Sequence, residues 1–316
     1  MVVEKVILAR PRGFCAGVER AINVVEECLK IFGKPVYVKH EIVHNKHVVE
    51  DLTKKGAITV QGVEEVPPGA VAVFSAHGSS PEDFAKAKNK GIRVIDATCP
   101  LVTRVHIEVH RFSKEGYKII YIGHKGHIEP LGVLGESPGQ ISMVESIEEV
   151  EALDIGNPDK IVYLTQTTLS VDETRNVIIA IKKKYPQTID PPGEDICYAT
   201  TNRQRAVKEL AKHVELIFVI GSKNSSNSNR LVETAREAGV RAYLVDDVYG
   251  LDPSWLRSSS CIGITSGASA PEKLVQELTE YFVKRGAKKE ELIVTEENLR
   301  FRLPSELEKI RKGALA

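Results

Sequence analysis

Three of the five cysteines in this chain stand in one repeated setting, and thiolates in such a setting can hold a metal. Cys15 follows an apolar run and opens a helical pattern (VILARPRGFCAGVERAI). Cys99 does the same (VIDATCPLVTRVHIEV), and Cys197 sits in DICYATTNRQRAVKEL, again just ahead of a helical pattern. A helix N-terminus favours thiolate over thiol. Two polar loops follow each cysteine. They are EIVHN and FSAHGSS after Cys15, GHKGHIE and TQTTLS after Cys99, and GSKNSSNSN and TSGASAP after Cys197. Cys28 and Cys261 differ. The first lies on the apolar stripe of a helical pattern and the second begins an apolar strand, positions where free cysteines fill core space.

The chemistry open to three such thiolates is limited. Structural zinc is usually held by four ligands arranged in close pairs, and no close pair is present. Iron–sulfur clusters are held by thiolates, usually four, so a three-cysteine site leaves one iron open to water or substrate. His44, His77 and His127 lie on comparable loops, and Ser225, Ser226 and Asn227 precede a helix expected to begin near Asn229. Ser/Asn loops at a helix N-terminus bind phosphate; the same residues can also simply cap the helix. Glu129 stands two residues after His127, where a carboxyl beside an anion would have a raised pKa and could act as an acid. Thr167 and Thr168 could orient a proton or cap the helix before Asp172.

These residues need a frame. Short Val/Ile/Leu/Tyr runs alternate with helical patterns from end to end: Lys5–Ala9, Pro35–Lys39, Val71–Ser75, Arg93–Asp96, Lys118–Ile122, Lys160–Leu164, Glu215–Ile220, Arg241–Val245 and Cys261–Thr265. Continuous apolar strands are those covered on both faces, as in parallel sheets. Amphipathic helices are expected over Ala16–Ile31, after Asn202 with Ala206, Leu210 and Val214 on one stripe, and over Ala270–Arg285. Alternation of this kind predicts an α/β protein. Because ligands bind beyond the carboxyl ends of parallel strands, the pattern suggests three related α/β modules facing one centre, each giving one cysteine and two polar loops.

Composition narrows the partners. Lys plus Arg equals Asp plus Glu at 43 each, with no basic stripe, which argues against a general nucleic-acid binder. No stretch approaches the roughly 20 apolar residues of a membrane span. The apolar run at the N-terminus is too short for a secretory signal, so a cytoplasmic location is expected. Five cysteines in such a chain do not suggest a disulfide framework.

Taken in order, RGFCAGV, EIVHN, SAHG, DATCPLV, GHKGHIE, TQTTLS, DICYATTNRQ, GSKNSSNSNRL and SGASAPE resemble the 4-hydroxy-3-methylbut-2-enyl diphosphate reductase family, the last enzymes of the methylerythritol phosphate route to isoprenoids. The resemblance runs through FRLP near the C-terminus. It implies a trefoil-like monomer of three pseudo-equivalent parallel-sheet α/β domains around a central 4Fe-4S cluster, with domains at 16–98, at 99–194 and at 1–15 with 195–316. It implies Cys15, Cys99 and Cys197 as the metal ligands. His44, His77, His127, Thr167, Ser225, Ser226, Asn227 and Ser269 would bind substrate, and Glu129 with Thr167 would be catalytic. Flavodoxin or ferredoxin is the implied electron donor. After Glu129 the chain departs from the family pattern, reading GHIEPLGVLGE where GHPEVEGTMGQ-like sequence is usual. Three readings from other classes stay open on the residues alone: a zinc phosphoesterase, a non-catalytic iron–sulfur sensor and a metal-free diphosphate-binding protein.

Overall fold

The computed structural model describes residues 3–257 and 259–311; the outermost residues of the expected third domain, 1–2 and 312–316, and residue 258 lie outside them. In chain order the first elements are β1 (Lys5–Arg10), α1 (Ala16–Phe32), β2 (Val36–Lys39), α2 (Lys46–Lys55), β3 (Ala57–Val60), β4 (Val71–Phe74), α3 (Pro81–Asn89) and β5 (Arg93–Asp96). Then come α4 (Pro100–Lys114), β6 (Lys118–Ile122), α5 (Ile128–Leu134), β7 (Ile141–Val144), α6 (Ile147–Ala152), β8 (Ile161–Thr165), α7 (Val171–Lys184) and β9 (Thr188–Ile189). The last are α8 (Tyr198–Leu210), β10 (Leu216–Ile220), α9 (Ser226–Glu237), β11 (Arg241–Val245), β12 (Cys261–Ser266), α10 (Glu272–Val283), β13 (Lys288–Ile293) and α11 (Ser305–Arg311).

The strands form three parallel sheets, ordered β11-β10-β12-β1-β13, β3-β2-β4-β5 and β7-β6-β8-β9. The last two orders superimpose on the first, with β13 added at its edge. In each sheet the chain leaves the second strand for the edge, then returns on its other side. That reversal is a topological switch point, where parallel sheets open a crevice for ligands. By internal contacts the chain forms two compact units, one of Met1–Val18, His44–Val48 and Tyr198–Arg300, the other of Glu19–Val43, Val49–Cys197 and Phe301–Ala316.

Burial follows the apolar runs. Val6, Leu8, Phe218 and Ile264 pack with α10 on one face of the first sheet, while Ile7, Ile217 and Val219 pack with α8 and α9 on the other. The β7-β6-β8-β9 sheet likewise has a core on each face, around Ile120 and Ile161 and around Ile119 and Val162. Among the described residues no helix is long and apolar enough to cross a membrane.

All nine expected strands are present to within one residue at either end. Four further strands, β3, β7, β9 and β13, lie at sheet edges, where strands are short or polar. The charged β13 (KKEELI) has no apolar run to mark it, and its Glu290 pairs with Lys5 of β1 at 2.7 Å. Two helix starts are corrected. α8 begins at Tyr198, not after Asn202, and Val214 lies beyond its end. α9 begins at Ser226, not near Asn229, because the Ser225 hydroxyl caps it by accepting from Ser228 N at 3.3 Å.

Candidate active site

Each of the three cysteines follows the same strand of its sheet: β1, β5 or β9. Each donates its backbone N–H to a carbonyl in the loop after the neighbouring strand: Cys15 to Ala268 (3.2 Å), Cys99 to Ala76 (3.0 Å) and Cys197 to Thr167 (3.1 Å). A second bond repeats beside the first. Gly267 N donates to Ile220 O (2.9 Å), Ala76 N to Ile42 O (3.2 Å) and Gln166 N to Ile122 O (2.8 Å), joining the two loops that flank each switch point. The expected polar loops are these switch-point loops. Cys15, Cys99 and Cys197 are half-buried and in no disulfide, whereas Cys28 has no exposed surface and burial pushes its thiol up to about 12. Cys261 is half-buried, its thiol donating to His213 O at 3.4 Å. Among the described residues, no three His, Cys, Asp or Glu side chains gather closely enough to hold one metal ion.

In the first unit, a polar group collects at the α9 N-terminus. The Ser269 hydroxyl donates to His44 O (3.0 Å), and Asn224 Nδ2 lies 3.4 Å from His44 Nδ1. Ser225 Oγ is 3.5 Å from Ser269 Oγ. Asn227 accepts from Ala268 N (2.9 Å) and donates to Thr200 Oγ1 (3.3 Å), so its amide braces the Cys15-side loop against α8. His44, Ser225, Asn227 and Ser269 are all buried, and Ser226 is half-buried. Capping and gathering therefore coexist: the cap residue Ser225 also faces Ser269.

In the second unit, Glu129 is neither a loop residue nor solvated. It lies in the first turn of α5, is 2% exposed, and its carboxylate accepts from Thr167 N (2.7 Å) and Thr167 Oγ1 (2.9 Å). Burial pushes its pKa up to about 7, against the opposing pull of the two Thr167 bonds and the charge of His106. The raised pKa expected from a neighbouring anion is thus produced by the protein alone, through desolvation. His127 is the N-cap of α5, its Nδ1 accepting from Glu129 N at 3.2 Å, so a neutral ring carries its proton on Nε2. His77 stacks edge-on to His127 with ring centroids 5.9 Å apart, and Ser75 Oγ lies 3.2 Å from His77 Nδ1. Ser170, not Thr167 or Thr168, caps α7.

The divergent GHIEPLGVLGE segment forms α5 and its exit. A Cβ on Gly132 would stand 3.3 Å from the backbone of Gly78 and Ser79, and one on Gly135 would stand 2.4 Å from Ser80 Cβ. Glycine at both places lets α5 lie directly on the loop carrying His77. Several site neighbours have no sequence signal. His106 of α4 pairs with Glu136 at 2.7 Å, and its Nε2 reaches toward Gly78. Tyr121 is fully buried, and that burial, followed by the charge of Glu129, raises the pKa of its hydroxyl. Asp195 accepts from Thr165 N at 2.9 Å, and burial beside Glu108 raises its pKa. His106, Glu136 and Asp195 stand inside VIDATCPLVTRVHIEV, GHIEPLGVLGE and DICYATTNRQ, but nothing in their type or spacing marks them; Arg203 and Tyr198 also stand in DICYATTNRQ.

The fold and site define a parallel-sheet α/β protein with three matched cysteine loops and a buried acid. The family model for the LytB protein matches residues 6–283. The chain is 52% identical over 305 residues to the 4-hydroxy-3-methylbut-2-enyl diphosphate reductase of Streptomyces coelicolor, covering 96% of this chain and 90% of that one. It is 51% identical over 308 residues to the enzyme of the same name from Azoarcus sp., covering 97% and 99%. The solved structure of the E-1-hydroxy-2-methyl-but-2-enyl-4-diphosphate reductase from Plasmodium falciparum superimposes with a TM-score of 0.94 at 39% identity, covering 98% of each chain. The chain belongs to the LytB protein family.

Proposed function

We propose that this protein reduces 4-hydroxy-3-methylbut-2-enyl diphosphate to isopentenyl and dimethylallyl diphosphate, the terminal step of the non-mevalonate isoprenoid pathway. The repeated placement of Cys15, Cys99 and Cys197 carries the reading, since each thiolate would hold a cluster from its own loop and none needs to meet the others on one ion. The donor set, three half-buried thiols without disulfides, fits an iron–sulfur cluster of the 4Fe-4S type with one iron lacking a protein ligand. When bound, such a cluster supplies electrons and an open iron able to accept the substrate hydroxyl.

The residues do the rest. His44, Ser225, Ser226, Asn227 and Ser269 form the diphosphate end with the α9 N-terminus, while His77 and His127 stand beside Glu129. Glu129, protonated up to near neutral pH, gives its proton to the hydroxyl oxygen, and Thr167 holds the carboxyl in place through two bonds. Two electrons and two protons are consumed. One proton leaves with the oxygen as water and the other ends on either terminus of the allyl group, giving the two products. The resemblance implies electrons from flavodoxin or ferredoxin and action as a monomer. The test is anaerobic purification, iron and sulfide analysis, and turnover with an artificial reductant. The reading predicts a broad band near about 400 nm and both products; a colourless chain that takes up no iron with sulfide overturns it.

A further inference from the structure

Arg203 heads the side chains that are fully buried, and a buried guanidinium needs partners. From α8 its Nη1 donates to Ala199 O (2.9 Å) and to both Glu297 carboxylate oxygens (3.1 and 3.2 Å), and its Nη2 donates to Gly13 O (2.8 Å). Gly13, at φ 70°, also donates its N–H to Ser266 Oγ (2.8 Å), so both polar groups of the residue two before Cys15 are fixed. On the other side of Cys15, Ala16 N donates to the Tyr198 hydroxyl (3.3 Å), and Tyr198 follows Cys197 in the chain. Asn202 adds a third link, donating to Glu297 Oε1 (3.0 Å). The first two turns of α8 thus grip the 13–16 turn on both sides of its cysteine.

Stability alone is a poor reason for this arrangement, because a buried ion pair is often no more stable than apolar residues filling the same space. Its product is geometry: a planar fork can hold the Glu297 carboxylate and the Gly13 carbonyl at once, which a lysine cannot. We propose that Arg203, supported by Tyr198, is a positioning residue for metal loading, fixing the Cys15 turn against the helix that follows Cys197. This rests on the reading that both cysteines are iron ligands. Outer-shell partners of metal ligands typically alter metal affinity about 10- to 100-fold. The test is anaerobic reconstitution of the metal-free chain with ferrous iron and sulfide, followed by chelator competition and air exposure. It compares wild type, Arg203→Lys, Glu297→Gln, Tyr198→Phe and the remote core variant Ile181→Val, with the melting temperature of each metal-free form. Arg203→Lys should hold iron roughly 10- to 100-fold less tightly and bleach faster in air. Glu297→Gln and Tyr198→Phe should shift the same way by less, and Ile181→Val should load like wild type even where it melts lower. Wild-type retention in all three α8-region variants overturns the proposal, as does a deficit in Ile181→Val that matches its loss of stability. If Arg203→Lys does not fold, Glu297→Gln and Tyr198→Phe decide. A wild type that takes up no iron overturns the underlying iron–sulfur reading instead.

Discussion

At Glu129 the proton is held by the fold before any substrate arrives. The carboxyl is withdrawn from water at the start of α5, and its folded pKa of about 7 stands above the ordinary 4.5. A raised acid contributes stability that is full below pH 4.5 and lost as pH climbs through 7. Glu129→Gln removes that loss. Relative to wild type, the metal-free Gln variant should therefore gain stability between pH 4.5 and pH 7. The gain should reach about 3 kcal/mol, because each tenfold difference in proton affinity between folded and unfolded chain is worth ~1.4 kcal/mol. Urea midpoints at the two ends of that range read the difference, and a gap independent of pH would place the folded pKa near its ordinary value. Turnover of the same variant should fall about 10²- to 10⁴-fold with iron content unchanged. His44 offers a contrasting case. His44→Asn should weaken inorganic diphosphate roughly tenfold to over a hundredfold, the cost of about 1.5–3 kcal/mol for a charge-assisted bond. Calorimetry with diphosphate alone decides it, and unchanged affinity moves the anion site elsewhere.

Helix α5 is where local propensity and packing disagree. Alanine is a better helix residue than glycine by about 1 kcal/mol, so Gly132→Ala would stabilise an isolated helix. Here the added Cβ meets backbone atoms of Gly78 and Ser79 at 3.3 Å, and backbone gives less readily than a side-chain tip. The expected outcome is a loss of about 1–3 kcal/mol, with lower turnover because α5 carries Glu129. A Gly132→Ala protein as stable and active as wild type would show that the loop and helix slide apart freely. The same helix shows what the sequence could and could not say. Apolar strings marked nine strands, among them the edge strands β5 and β11, and the repeated strand–Cys–helix context marked the three cysteine loops. Four other edge strands escaped: β3, β7 and β9 because they are short, and β13 because a charged run carries no periodic signal. Glu129 was legible as a candidate but not as a buried helical residue, since its desolvation comes from packing distant in sequence. His106, Glu136 and Asp195 lie inside quoted segments but carry no signal of their own there, and only the folded chain brings them beside Glu129 and Thr165.

Across the whole molecule, three sheets repeat one strand order, one switch point and one pair of loop hydrogen bonds, and each ends a matching strand before a cysteine. Repetition at that level, without sequence repetition between the loops, is hard to explain by packing alone, since each core is built from different residues. The proposed function asks for such repetition, because it takes one thiolate from each sheet. The prediction concerns cooperativity. A ligand that binds only the folded chain raises its stability by mass action, about 4 kcal/mol at a thousandfold excess over Kd. Loaded protein should therefore melt above the metal-free form, and the added iron should protect all three sheets together. If the proposed ligand set is right, replacing Cys15, Cys99 or Cys197 singly by Ser should each abolish both the iron–sulfur absorbance and the melting shift, because two thiolates would not retain a cluster that needs three. Cys28→Ala is the matched control. It trims a fully buried side chain and should lower both melting temperatures while leaving the shift between them intact. Differential scanning calorimetry of the four variants under anaerobic conditions, with and without reconstitution, reads this directly. A Cys99→Ser chain that keeps full iron and the full shift would remove Cys99 from the ligand set.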